Sequence, residues 1–267
     1  MTDQINGNDI AEEMIEDLEK DIAPRLEVIQ VGNNTASTTY VKEKLEACEK
    51  AGFEANLTSF SSDVNEQDVL EKIRKFNNNQ NVNGILVQLP LPEQINNDKI
   101  FGEILPEKDV DGLHPLKLGK TLRGDKSIAP CSVRAVLKII ETQEKDLKGK
   151  KVTIVNNSNL IGKPLSMGLT QKGATVTLCH KETENLVEHT READILITAT
   201  GQPGIISKKM VSEDCFVIDA GYEAGPESET EKVEDHVSVI SPEPGGVGPV
   251  TVAMTLKNLV KCYNLQK

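Results

Sequence analysis

At 267 residues the chain has the length of one large domain or two modest ones, enough to bury roughly three-quarters of its unfolded surface without covalent staples. Its 30 Lys and Arg stand against 42 Asp and Glu, a net charge of −12 whose field repels nucleic-acid backbones and anionic lipid. No apolar run approaches the roughly 18–20 residues that a bilayer requires, and the first residues lack the basic-then-apolar order of a secretory leader; neither nucleic acid nor membrane is expected as a partner, and the chain is placed in the cytoplasm.

Apolar runs and punctuation alternate strand with helix along most of the chain, the pattern of an α/β protein with a mostly parallel sheet. An amphipathic helix over Ile10–Leu18 opens it. Leu26–Gly32 is then a predicted strand, followed by a helix over Thr38–Ala51 whose Val41, Leu45 and Cys48 form an apolar stripe. A strand at Ala55–Phe60, a helix around Glu66–Phe76 and a strand at Gly84–Leu89, stopped by Pro90 and Pro92, complete the first half. In the second half, strands are predicted at Lys151–Asn156, Thr175–Cys179, Ile195–Thr200, Cys215–Ala220 and Val237–Ile240, with helices between the first three and a closing helix over Val252–Tyr263. The polar stretch Glu141–Lys150 separates two lobes, with the boundary between Ala129 and Lys150.

Five widely spaced cysteines with no C-x-x-C pair fit neither a disulfide framework nor a structural zinc site and read as small buried hydrophobes. The four histidines share no metal-ligand spacing, so no metal is expected.

The strand ending at Asn156 runs into Asn156-Asn157-Ser158-Asn159-Leu160-Ile161-Gly162-Lys163-Pro164 and then a helix. Such a strand–turn–helix unit presents backbone N–H groups and a helix N-terminus to an anion, although the G-x-G-x-x-G fingerprint is absent. Asn156 stands at the first glycine place, as a residue that tolerates the left-handed backbone region. Some 25 residues on, His180-Lys181-Glu182-Thr183 offers both a base for the 2′-phosphate of NADP and an acid for the ribose hydroxyls of NAD. Thr200-Gly201 and Pro244-Gly245-Gly246-Val247-Gly248-Pro249 are glycine-rich loops that a ring could approach; each also reads as an ordinary turn. In the first half, Tyr40 and Lys44 lie four apart on one helix, Gln88 is an amide near the carboxyl end of an apolar strand, and Asp109 and Asp111 flank a turn. Each of these also reads as a solvated or hydrogen-bonded structural residue.

Taken together, Ser37-x-x-Tyr40-Val41-x-x-Lys44, the segment from Gly84 to Pro92, Lys108-Asp109-Val110-Asp111-Gly112 and the segment from Pro244 through Pro249 to Thr251 resemble the signature segments of the bifunctional methylenetetrahydrofolate dehydrogenase/cyclohydrolases. The resemblance implies an α/β folate-binding catalytic lobe at 1–130, joined by the C-terminal helix 251–267, and a Rossmann-type doubly wound lobe at 131–250. It implies oxidation of 5,10-methylenetetrahydrofolate to the 5,10-methenyl cation with NADP, or NAD, and hydrolysis of the methenyl form to 10-formyltetrahydrofolate, by a homodimer. In it Lys44 is the general base, Gln88 holds its amine, Asp111 meets the aminopyrimidine edge of the pterin and Tyr40 stacks on the folate ring. Leu89, Pro90, Gly246 and Pro249 join them at the substrate, and Asn156, Asn157, Ser158, Gly162, Lys163, Pro164, His180, Lys181, Thr200, Gly201, Tyr222, Gly246, Gly248 and Thr251 serve the cofactor. The chain departs from the pattern at Asn156-Asn157, where the family turn carries glycine and often arginine, at Lys117, where it carries asparagine, and at Tyr222, where a small aliphatic residue is usual. A cyclohydrolase with weak or lost dehydrogenase activity and a non-catalytic folate or nucleotide binder remain as alternatives.

Overall fold

The strand β2 (Arg25–Val31) is buried at all but its first position, and β4 (Gly84–Val87) at every position. Strands of that kind need cover on both faces, which parallel pairing with intervening helices supplies. The structure, a computed structural model, describes residues 2–19, 21–125, 129–143, 146–221, 230 and 233–267. Two units emerge, one of Glu13–Cys131 with Val252–Lys267, the other of Met1–Glu12 with Ser132–Thr251.

In the first unit, β3 (Glu54–Phe60), β2 and β4 form a parallel sheet in the order β3-β2-β4. The chain goes to one side of β2 and then to the other, so the reversal point lies at the carboxyl ends of β2 and β4, where open α/β sheets hold their ligands. The segment after α4 (Asn97–Glu103) returns alongside β4 through a parallel bridge between Ile85 and Asp109. The helix α2 (Thr35–Lys50) begins three residues before the expected Thr38 because the Asn34 side chain accepts the Ser37 N–H at 3.0 Å. Asn65 caps α3 (Glu66–Asn77) and Asn96 caps α4 in the same way. At the far end of α3, the Lys108 ammonium donates to the carbonyls of Phe76, Asn77 and Asn79 at 3.2, 2.9 and 2.7 Å, satisfying a helix C-terminus with a cation. α5 (Pro115–Leu122) starts at the proline, its Leu116 N–H bonded to His114 Nδ1 at 2.9 Å. Leu26, Val28, Val41, Cys48, Leu86 and Val110 form the core with Val252, Leu256, Leu259 and Cys262 of α9 (Val247–Leu265).

In the second unit, β1 (Asp3–Gln4), β5 (Lys151–Val155), β6 (Thr175–Cys179), β7 (Ile195–Thr198), β8 (Phe216–Asp219) and β9 (Val239–Ser241) form a six-stranded parallel sheet ordered β1-β9-β8-β7-β5-β6. Order reverses between β5 and β7, with α6 (Cys131–Gln143), α7 (Gly162–Gln171) and α8 (Leu186–Thr190) as its helical elements. The expected boundary at residue 130 meets one difference. The opening strand β1 pairs with β9, and Gly7 at the start of α1 (Gly7–Glu16) donates to the Gly245 carbonyl at 2.7 Å, so the first dozen residues belong with this sheet. Their short, polar strand carries no periodic signal; only its distant partner makes it a strand.

Candidate active site and cofactor turn

The site in the first unit is built on the face of α2 that also feeds the core. Ser37, Val41, Lys44 and Cys48 recur at helical spacing and are all buried. Lys44 therefore lies on the apolar stripe itself, only 4% exposed, whereas Leu45, expected on that stripe, is only partly buried. Its Nζ donates to Gln88 Oε1 at 2.9 Å, and Gln88 Nε2 in turn donates to the Leu89 carbonyl at 2.9 Å. The same carbonyl accepts from Ser37 Oγ at 3.0 Å, so one main-chain oxygen fixes the amide that receives the lysine. Gln88 is in reach because β4 ends at Val87, two residues short of the expected Leu89. The Tyr40 ring lies 5.3 Å from Lys44 Nζ, close enough for a cation–π contact.

Burial pushes the Lys44 amine below the usual lysine value, because the charged form loses its hydration; the nearby negative charge of Asp111 opposes the shift. Gln88 is neutral and adds no negative charge that would hold the proton. Asp111 sits in a turn held from several directions. The Asp109 carboxylate, 1% exposed, accepts the N–H groups of Gly112 at 3.0 Å and His114 at 2.9 Å. Asn258 of α9 donates to the Val110 carbonyl at 2.8 Å, and Cys131 N–H to the Asp111 carbonyl at 3.3 Å. Gly112 has φ +73, and a Cβ there would stand 2.7 Å from the Ala129 backbone, so only glycine closes the turn. The structure thus gathers Tyr40, Lys44, Gln88, Leu89 and Asp111, with Pro90 adjoining. Sequence reasoning noted Lys117 only as a departure from the family pattern and passed over Asn258; their donors reach the Asp109 and Val110 carbonyls through the fold and leave no local pattern.

In the second unit the turn from β5 to α7 is organised by Asn156. Its Oδ1 accepts from Ser158 N–H and Ser158 Oγ, both at 2.8 Å, and from Gly162 N–H at 3.0 Å, while its Nδ2 donates to the Ala199 carbonyl after β7. Asn156 does not use the left-handed backbone region that asparagine tolerates. Among the described residues the non-glycine with positive φ is Asn185, and the Asn156 amide does through its side chain what a glycine would do through its backbone. Gly162 packs so closely on this turn that a Cβ would lie 1.9 Å from the Asn156 carbonyl oxygen. Asn157 is exposed, Lys163 Nζ donates to Asn159 Oδ1 at 2.9 Å, and Pro164 is buried within the first turn of α7.

After β6 the His180 N–H is held by Thr183 Oγ1 at 2.8 Å, which projects Lys181 and Glu182 into solvent with their charged ends 3.7 Å apart. After β7, Gln202 N–H meets Thr200 Oγ1 at 3.1 Å beside Gly201. Gly246, Gly248, Pro249 and Thr251 lie at the start of α9, which begins five residues before the expected Val252, and the Thr251 hydroxyl donates back to the Val247 carbonyl at 3.0 Å. Gly246 and Pro249, expected at substrate, belong to this second unit. Tyr222 lies outside the described residues. The turn lies at the sheet's reversal point, where open α/β sheets take a dinucleotide, with the exposed Lys181 ammonium after β6; the N–H groups of Ile161, Gly162 and Lys163 are themselves taken up by Ser158 Oγ, Asn156 Oδ1 and the Ser158 carbonyl.

A doubly wound parallel sheet with such a turn, joined in one chain to an α/β unit that buries a lysine against a neutral amide, defines a two-unit nucleotide-dependent enzyme. The chain belongs to the tetrahydrofolate dehydrogenase/cyclohydrolase family: that family's catalytic domain matches residues 5–111 and its NAD(P)-binding domain residues 130–267. A Brevibacillus brevis relative named bifunctional protein FolD is 40% identical, over 97% of this chain and 93% of its own. The crystal structure of the bifunctional enzyme FolD, a methylenetetrahydrofolate dehydrogenase/cyclohydrolase from Campylobacter jejuni, is 38% identical and superposes with a TM-score of 0.93 over the whole of both chains. A Trypanosoma brucei methylenetetrahydrofolate dehydrogenase-cyclohydrolase, solved with NADP and an inhibitor, is 28% identical, with a TM-score of 0.92 over 99% of this chain and 98% of that one.

Proposed function

We propose that this chain oxidises 5,10-methylenetetrahydrofolate to the 5,10-methenyl form and hydrolyses that cation to 10-formyltetrahydrofolate. The observation that carries the reading is the buried Lys44 amine held 2.9 Å from the Gln88 amide oxygen. When bound, the nicotinamide cofactor supplies the hydride acceptor for the first step. This chain's residues then have mainly to align the folate, because its two flanking nitrogens already delocalise the positive charge that hydride loss creates.

The hydrolytic step needs a base. Water attacking the methenyl carbon forms a C–O bond and loses a proton to the uncharged Lys44 amine. The resulting ammonium returns the proton to the ring nitrogen as its C–N bond to the former methenyl carbon breaks, and the adduct's hydroxyl releases its own proton to solvent as the formyl C=O forms. Gln88 orients the amine without placing a negative charge beside it, Asp111 accepts hydrogen bonds from the aminopyrimidine, and Tyr40 stacks on the ring, with Leu89 and Pro90 shaping the same edge. Asn157, Ser158, Lys163, His180, Lys181, Thr200 and Gly201 hold the dinucleotide. The Lys181 ammonium favours the 2′-phosphate, and NADP is therefore assigned ahead of NAD, in keeping with the NADP complex of the Trypanosoma brucei relative. We assign a homodimer in the cytoplasm, to be checked by sedimentation equilibrium and by fractionation.

The test follows the absorbance of the methenyl species with NADP, with NAD and with neither. The wild type should form it with NADP and consume it without any nicotinamide. Lys44→Met should lower hydrolysis by about 10²–10⁴-fold while folate still binds. Undiminished hydrolysis in that variant would remove the assigned base.

A further inference from the structure

Asp109 and Asp111 are carboxylates two residues apart, and their charges repel. Only Asp111 is assigned to a ligand. Asp109 accepts a backbone N–H on each of its two oxygens, from Gly112 on one and His114 on the other, an arrangement that the ionised form satisfies and a protonated acid does not. Yet it is buried among apolar groups, where an unpaired carboxylate is costly. The cation nearest this turn is Lys117 of α5, itself only 6% exposed, whose Nζ donates at 2.6 Å to the main-chain carbonyl of Asp109 and not to its carboxylate. The other groups around this ammonium are the thiols of Cys262 and Cys131 and the ammonium of Lys120. Cys262, with its thiol pushed up to about 12 by burial, is neutral. Burial pushes the Asp109 carboxyl above its usual range, and the Lys117 ammonium is the positive charge that opposes this, beside the N–H groups of His114 and Gly112.

We propose that Lys117 is a positioning residue for Asp111: its ammonium is the counter-cation that keeps Asp109 ionised, and ionised Asp109 holds the turn that presents Asp111 to the ligand. The inference rests on the folate reading of Asp111 given above. It differs from a plain structural role in requiring the charge of Lys117 and in acting on substrate affinity through one other residue.

The experiment is a double-mutant cycle on the full chain, reading KM and kcat for methylenetetrahydrofolate and the NADP dissociation constant by calorimetry. Lys117→Met and Lys117→Gln should each raise KM by about tenfold, with kcat within about twofold and NADP affinity unchanged. The glutamine keeps much of the length and an N–H donor, so it isolates the charge and carries the measurement if the methionine variant does not melt cooperatively. In an Asp111→Asn background the further rise from either substitution should fall below about twofold, because the residue through which Lys117 acts is already gone. A normal KM in folded Lys117→Gln, the full tenfold effect surviving in the Asp111→Asn background, or failure of both Lys117 variants to fold would overturn the proposal. An Asp111→Asn single variant with wild-type KM would instead show that the folate reading of Asp111 is at fault, and the Lys117 inference would fall with it.

Discussion

Lys44 carries opposite consequences for catalysis and for stability. An amine on the buried stripe of α2 is useful as a base because burial disfavours its protonated form, and the same burial makes the native state resist a proton that the unfolded chain accepts. Between its depressed native pKa and the ordinary value of 10.5, the unfolded chain binds more protons at this position, so stability rises with pH through that window and is lost as pH falls toward the native value. Lys44→Met should abolish that slope. At pH 7 it should melt a few degrees above the wild type, by about 1–3 kcal/mol on the precedent of buried charges replaced by apolar side chains, and the difference should shrink as pH approaches 10.5. Thermal melts of both proteins across that range decide it; a Lys44→Met variant less stable than the wild type at neutral pH would mean that the ammonium is well paired in the native state. The acidic limb of the hydrolysis rate should report the same group, with its midpoint below 10.5.

At the scale of elements, the turn from β5 to α7 is a side-chain construction set against a glycine. Asn156 ties Ser158 and Gly162 to itself and to the Ala199 carbonyl, and the space it needs exists only because residue 162 has no Cβ. Gly162→Ala should push the turn off the helix N-terminus, costing about 1–3 kcal/mol, in the range of overpacked buried sites. Calorimetry should then find NADP affinity lost while folate binding to the other unit persists; unchanged NADP affinity would show that the cofactor does not use this turn. The turn was legible in the sequence as a strand–turn–helix junction, and so were the long, strongly patterned elements: β6 matches its expected span, and β2, β3 and α3 lie within one residue of theirs at each end. What was not legible has a common cause. The ranges of β1, α4 and α5 are short and their apolar positions too few to show a period; they exist because of β9, the Asn96 side chain and the Pro115 start. Gln88 could be singled out because an amide interrupts an apolar strand, and Lys44 by its spacing from Tyr40, whereas Lys117 and Asn258 gain their meaning only from carbonyls brought to them by the fold.

Across the whole molecule, the cysteines test how completely the two cores close. Cys48 and Cys262 lie in the core of the first unit, Cys179 and Cys215 in that of the second, and Cys131 is fully buried where α6 begins. All five are free thiols with exposures of 1% or less. Only a thiolate reacts with disulfide reagents, and burial pushes Cys48, Cys215 and Cys262 up to about 12, so both access and ionisation oppose reaction. Ellman's reagent should therefore titrate none of them in the native protein over minutes at pH 8, and all five in guanidinium, with labelling of the native state paced by opening of the cores. The order of labelling adds a second reading. Mass spectrometry that finds Cys48, Cys131 and Cys262 modified before Cys179 and Cys215 would assign the weaker core to the unit that carries Lys44, and the reverse order would assign it to the unit that carries Asn156. A thiol that reacts at once in the native protein would show that its core is open to solvent, and a titre below five in guanidinium would reveal a disulfide; either outcome contradicts the packing described above.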